Sequence, residues 1–239
     1  MGATISIFRR ELGAFFNTPI GYVVMAAFLL LTSSFYIATL FISGQAEMRG
    51  YFASLPFFLL FMVPAVSMRL WAEERKLGTL ELLLTMPLKT WQAVLGKFLA
   101  GLTFIACWFL LTLPIPIFLA SYGNPDFGPI IGGYLGAMVL SMIYLSIGCF
   151  ASSLTSDQII ALVIGIGINL LFFLMGMRPI LDWIKDLSPA LSTAVERFGV
   201  DYHFESISRG VVDTRDVIYA VTMTGLFLFL NVLVIERRR

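Results

Sequence analysis

Charge is scarce in this sequence. Asp, Glu, Lys and Arg make up 13% of its 239 residues, about half of the ~25% found in an ordinary soluble domain. With 59% hydrophobic residues and a mean hydropathy of +0.89, that shortage excludes a soluble globular domain and indicates a polytopic membrane protein. The net charge of +1 excludes a global basic field of the kind that gathers nucleic acid, so no nucleic-acid partner is expected. Cysteine is nearly missing. Cys107 and Cys149 fall inside apolar runs, where they act as small hydrophobes, and no disulfide framework is expected. His203 is the single histidine. Without a second His or a Cys partner it forms no zinc-type ligand set, and it reads as a solvated loop residue.

Catalytic patterns are also missing. Gly96-Lys97 is followed by Phe98, so no phosphate-binding P-loop forms there. No His-Glu-x-x-His or Gly-x-Ser-x-Gly occurs. The chain therefore reads as a non-enzyme with no metal or cofactor site of its own. A cleavable signal peptide is not expected, because Arg9, Arg10 and Glu11 interrupt the stretch where its apolar region should be. Met1-Gly2-Ala3-Thr4-Ile5-Ser6 fits a short myristoylation pattern, but a chain with several spans needs no lipid anchor.

What is present is a set of long apolar runs. A span needs ~20 apolar residues to cross ~30 Å of hydrocarbon. Six stretches qualify: 20–42, 51–68, 98–122, 129–152, 159–177 and 217–235. Backbone in lipid must satisfy its own hydrogen bonds, so these runs are helices of one all-α transmembrane domain covering 1–239. None contains Asp, Glu, Lys, Arg or His. Ion-coupled carriers and intramembrane hydrolases place such groups at depth, so both classes are disfavoured. Asn169 is the most polar deep residue and reads as a helix–helix hydrogen-bonding group. Pro64 should kink the second span, and Pro114 and Pro116 the third. Gly132 and Gly136 form a Gly-x-x-x-Gly, suited to close packing inside one subunit or to a dimer seam. Orientation follows the basic residues of short loops. With both termini inside, the inner face collects Arg9, Arg10, Arg69, Arg75, Lys76, Lys89, Lys97, Arg237, Arg238 and Arg239, most of the chain's sixteen.

Three pieces do not span. Residues 4–16 place Ile5, Phe8, Leu12, Phe15 and Phe16 at helical spacing, with Arg9, Arg10 and Glu11 elsewhere, as in an amphipathic interfacial helix. The alternative is a simple extension of the first span. The break at 69–97 continues the second helix through Leu77, with Glu73, Glu74, Arg75 and Lys76 solvated. Gly78 interrupts it. Thr79 is a candidate N-cap for a short Leu-rich helix, Glu81 lies near that helix's positive end, and Pro87 stops it. Trp91 suits an interfacial position. Such a helix held between two spans could be a lever for a partner, or its leucines could simply lie on the membrane. Residues 178–216 read as three short helices: 179–187, a second ended by Gly199, and a third capped by Asp201 and ended by Gly210. Asp213 then starts the last span.

The run from Trp71 to Pro87, Trp-Ala-Glu-Glu-Arg-Lys-Leu-Gly-Thr-Leu-Glu-Leu-Leu-Leu-Thr-Met-Pro, followed by Val94-Leu95-Gly96-Lys97-Phe98, closely resembles the ABC-2 (type V) permeases. Asn17-Thr18-Pro19-Ile20-Gly21-Tyr22-Val23-Val24 and His203-Phe204-Glu205-Ser206-Ile207-Ser208-Arg209-Gly210 resemble its gliding-motility, GldF-like branch. The resemblance implies a permease subunit of an ATP-driven exporter in a bacterial inner membrane. It also implies a coupling helix of Gly78, Thr79, Leu80, Glu81, Leu82, Leu83 and Leu84 that docks on a separate ATPase dimer, flanked by Glu73, Glu74 and Arg75. ATP and Mg would be bound by that ATPase. A second permease subunit, identical or paralogous, and an auxiliary protein with a periplasmic domain are further implied partners, beside membrane lipid. The other reading is a channel or scaffold that binds a cytosolic partner without ATP-driven transport.

Overall fold

The computed structural model describes residues 2–43, 47–85, 88–122, 126–210 and 213–237. Among them the chain is all helix. α1 (Gly2–Asn17) is followed by α2 (Pro19–Ser43), α3 (Arg49–Ser67), α4 (Arg69–Lys76), α5 (Thr79–Thr85), α6 (Thr90–Thr112) and α7 (Pro114–Tyr122). Then come α8 (Phe127–Leu154), α9 (Gln158–Gly176), α10 (Arg178–Leu187), α11 (Pro189–Phe198), α12 (Val200–Ser208) and α13 (Thr214–Glu236). Six rods are long and apolar enough to cross a membrane: Pro19–Ile42, Arg49–Lys76, Thr90–Ser121, Phe127–Leu154, Gln158–Gly176 and Thr214–Glu236. The chain is a multi-pass membrane protein.

The second and third rods run further than the apolar pattern marks. At 28 residues the second is about 42 Å long, some 12 Å more than the hydrocarbon layer is thick. It is interrupted at the single residue Met68, one turn after Pro64, where the Trp71 and Ala72 N–H groups turn to the Ser152 hydroxyl instead of the preceding turn. The third starts at Thr90 rather than 98, with the Gln92 side chain accepting from the Lys89 N–H. It breaks at Leu113, where Pro114 begins α7.

α8 is the central mast. Its small residues let α3, α6, α9, α12 and α13 approach closely, and Tyr144, Leu145, Ile147 and Ala151 are buried around it. Gly132 and Gly136 are spent inside the subunit, on α12. A Cβ at Gly132 would stand 2.7 Å from the Ile207 carbonyl oxygen and the Gly210 Cα. By contrast α2, α9 and α13 turn apolar side chains such as Leu30, Val163 and Phe229 outward, as lipid-facing helices do.

α1 is a separate helix and not an extension of α2. Pro19 opens α2 at its first position. α1 lies along α6, with Ile7 against Gly96 and Phe15 stacked on Phe104 at 4.8 Å. The apolar face differs from the expected one by its first member. Ile7 is buried and Ile5 is 49% exposed, because the helix packs on α6 with a slightly rotated stripe. At the other end of the bundle α10, α11 and α12 form as expected. However, Asp201 lies inside the first turn of α12 and the cap position is Gly199. Asp213 does cap α13, accepting from the Arg215 N–H at 3.0 Å. The expected stop at Pro87 lies outside the described residues, as do Arg238 and Arg239. Asn169 is fully buried, but neither amide atom has a partner, so it makes no helix–helix hydrogen bond among the described residues.

Candidate functional site

α4 ends with the Leu77 N–H bonded to the Glu73 carbonyl at 3.0 Å. Gly78 then reverses the chain with φ of 71°, a conformation that side chains rarely adopt. A Cβ at Gly78 would meet nothing within 4 Å, so the backbone angle, not space, demands glycine. α5 starts at once. Thr79 does not cap it. Its hydroxyl donates backward to the Glu74 carbonyl at 3.2 Å and closes the end of α4 instead. Leu80 is buried and anchors α5 to the core, while Glu81 is exposed in the first turn. The side chains of Leu82, Leu83 and Leu84 lie outside the described residues.

Behind α5 stands a network of charges that the sequence pattern did not reveal. Lys97 is 1% exposed. Its Nζ lies 3.0 Å from the carboxylates of both Glu11 and Glu74, donates to the Leu70 carbonyl at 2.7 Å, and sits 4.9 Å over the Trp71 ring. Arg10 bridges the same two carboxylates at 2.6 Å each. Four side chains thus tie α1, α4 and α6 together. Burial opposes ionisation of Glu11, but Lys97 and Arg10 outweigh it and hold its carboxyl below the usual range. Glu74 is accordingly not solvated. Nor is Arg75, which reaches the Ser153 carbonyl at 2.8 Å, whereas Glu73 and Lys76 are exposed.

The α3–α4 break is secured from α8. The Ser152 hydroxyl donates to the Met68 carbonyl at 2.7 Å and accepts from the Trp71 and Ala72 N–H groups at 3.1 Å each. These are the backbone groups that an interrupted helix leaves unpaired. Arg69 reaches back to the Thr18 hydroxyl at 2.6 Å and covers the Phe15 ring at 4.4 Å. A cavity of about 380 Å³ opens beside this junction, between α1, α4 and α6, with Thr79 and Leu77 at its rim.

The family that fits this arrangement matches over most of it. Residues 43–195 match the family described as ABC-2 family transporter protein, well over half of the chain. The chain belongs to the ABC-2 transporter family. It is the membrane-spanning permease component of an ABC transporter, and such a permease implies an ABC ATPase partner. No curated protein matches the chain. The matched region runs from the end of α2 into α11. It includes α5, Glu74, Lys97 and Ser152, while Glu11 and Asp216 fall outside it.

At the far end of the permease His203 is not a solvated loop residue. It lies in α12 with its Nδ1 2.7 Å from the Asp216 carboxylate and its Nε2 3.1 Å from the Arg197 carbonyl. Its ring stacks on Tyr219 at 4.0 Å, and the Tyr219 hydroxyl donates to the Phe198 carbonyl at 2.7 Å. One imidazole therefore joins α11, α12 and α13. Sequence reasoning missed this latch because it looked for a second His or a Cys, and the partner is a carboxylate at the start of a span.

Proposed function

We propose that α5, entered through Gly78, is the coupling helix of this permease and that it docks on a separate ATPase dimer, which binds ATP and Mg. In this reading Gly78, Thr79, Leu80, Glu81, Leu82, Leu83 and Leu84 form the docking segment. Glu73 flanks it on the solvent side, while Glu74 and Arg75 act from behind by holding α4 in place. The single observation that carries the reading is the buried Lys97–Glu11–Glu74 junction directly behind α5. A push on α5 meets a joint between α1, α4 and α6, so two spans and the N-terminal helix move together. A short helix lying free on the membrane would have no need of such a joint.

The finer parts of the proposal follow the charge pattern and the sequence resemblance. α5 and both termini face the cytoplasm of a bacterial inner membrane, the permease pairs with a second permease subunit, and the complex exports a substrate or does mechanical work on a periplasmic auxiliary protein. The motifs at 17–24 and 203–210 favour the gliding-motility branch. Co-purification with the ATPase tests the coupling step. Glu81→Lys, on an exposed position, should abolish capture of the ATPase while membrane insertion and melting temperature stay unchanged. Full capture by that variant and by Leu83→Asp would end the assignment.

A further inference from the structure

A cavity of about 530 Å³ opens at the end of the bundle opposite α5, where α3 and α8 begin and α12 lies across them. That volume is in the range of small-ligand sites. Its walls are Phe52, Ala53, Pro129 and Phe204, and its polar groups include Arg49 and Asp201. Neither of these two makes an ion pair or a side-chain hydrogen bond among the described residues. Glu205, also in the wall, is already satisfied by Arg178 and Arg209. Burial, and then the neighbouring Glu205, hold the Asp201 carboxyl above the usual range against the pull of Arg178, so a cation beside it would be welcome. Among the described residues, a cation and a carboxylate that each lack a hydrogen-bond or ion-pair partner therefore share a cavity without pairing with each other. An anionic ligand would serve Arg49 and bring like charge to Asp201 and Glu205. A simple cation would do the reverse. A zwitterion serves both.

A second observation says what carries the zwitterion. Arg49, Ala53, Phe57 and Phe61 are the exposed residues of α3 at intervals of four, one continuous stripe descending from the cavity. Phe57 and Phe61 lie edge to face along it, 5.3 Å apart. The stripe is about 18 Å long, close to one leaflet of a ~30 Å hydrocarbon core. Its polar head lies where the spans begin, at headgroup depth, and its apolar tail runs into the leaflet. We infer that this cavity binds a phospholipid with a primary-ammonium headgroup, its phosphate on Arg49, its ammonium on Asp201 and an acyl chain along Phe57 and Phe61. A choline headgroup has no N–H to give Asp201, and a glycerol headgroup has no cation. The inference is independent of the role of α5.

The test uses the full-length permease, delipidated in detergent, with phosphatidylethanolamine, phosphatidylcholine or phosphatidylglycerol titrated back. Binding is read by native mass spectrometry and by thermal stabilisation. Phosphatidylethanolamine should bind at least about tenfold more tightly than either other lipid, as expected for one charge-assisted hydrogen bond. Arg49→Gln, on an exposed residue, should lose about tenfold for phosphatidylethanolamine. Asp201→Asn should bring phosphatidylethanolamine down to the level of phosphatidylcholine. Phe57→Ser should weaken all three lipids and leave the ranking intact. Free O-phosphoethanolamine should fail to displace the lipid. Equal binding of the three lipids, unchanged selectivity in Asp201→Asn, or displacement by the free headgroup at lipid-like concentration would each overturn the proposal.

Discussion

Replacing Lys97 by Met removes one charge and keeps most of the apolar stem. Two carboxylates, Glu11 and Glu74, each 14% exposed at the side chain, would then share only Arg10, which is 52% exposed. The donor to the Leu70 carbonyl and the cation over Trp71 go as well. Removing one partner of a buried pair costs about 3–5 kcal/mol. Arg10 stays 2.6 Å from both carboxylates, so the loss should lie at the lower end, about 3 kcal/mol. For a chain of this size that is a fall of roughly 6–12 °C in melting temperature, measurable by thermal unfolding of the detergent-solubilised protein. A second variant gives the reasoning its edge. Adding Glu11→Gln and Glu74→Gln to Lys97→Met removes every charge of this network but that of the half-exposed Arg10, and an uncharged replacement of a buried network is often neutral or better. The triple variant should therefore melt well above Lys97→Met alone. The reasoning is refuted if Lys97→Met melts within about 1 °C of the parent, or if the triple variant is no more stable than the single one.

The same network makes a pH prediction. A folded-state carboxyl held below its ordinary value contributes stability above the ordinary Glu range, near pH 4.3, and loses it as pH falls through that range toward the lowered value. The parent should lose melting temperature between about pH 5 and 3 more steeply than Glu11→Gln, which starts lower at neutral pH. At the far end His203→Ala strands the Asp216 carboxylate, 3% exposed, and should cost about 2–3 kcal/mol, with hydrogen exchange rising in α12 and not in α5. Gly132→Val places side-chain atoms against the backbone of Ile207 and Gly210. It should cost about 1–3 kcal/mol and loosen α12 while ATPase capture is unchanged.

The apolar runs found the six spans because hydrocarbon thickness dictates their length, and Gly78, Gly199 and Gly210 marked real ends of helices. Pro114 was a true break, since a missing N–H acts locally and can be read locally. The charged residues were another matter. Lys97 closes a stretch that reads as solvent-exposed, and its burial depends on Glu11 and Glu74, 86 and 23 positions earlier in the chain. Its position between Gly96 and Phe98 in an apolar turn, with two acids elsewhere lacking obvious mates, was the only signal. Ser152 looked like any small residue of a close-packed helix. Its work is set by Met68, Trp71 and Ala72, 80 to 84 positions away. Ile5 and Ile7 could not be ranked without knowing on which helix α1 lies.

The hydroxyl of Ser152 has a mechanical consequence. A rod broken in its middle bends in any direction, and a push on its tip is lost as wobble. Here the break at Met68 is fastened from the side at three backbone groups, so the two halves share a crease with a set direction. Force entering at the tip can fold the rod along that crease or turn the mast that holds it, and little else.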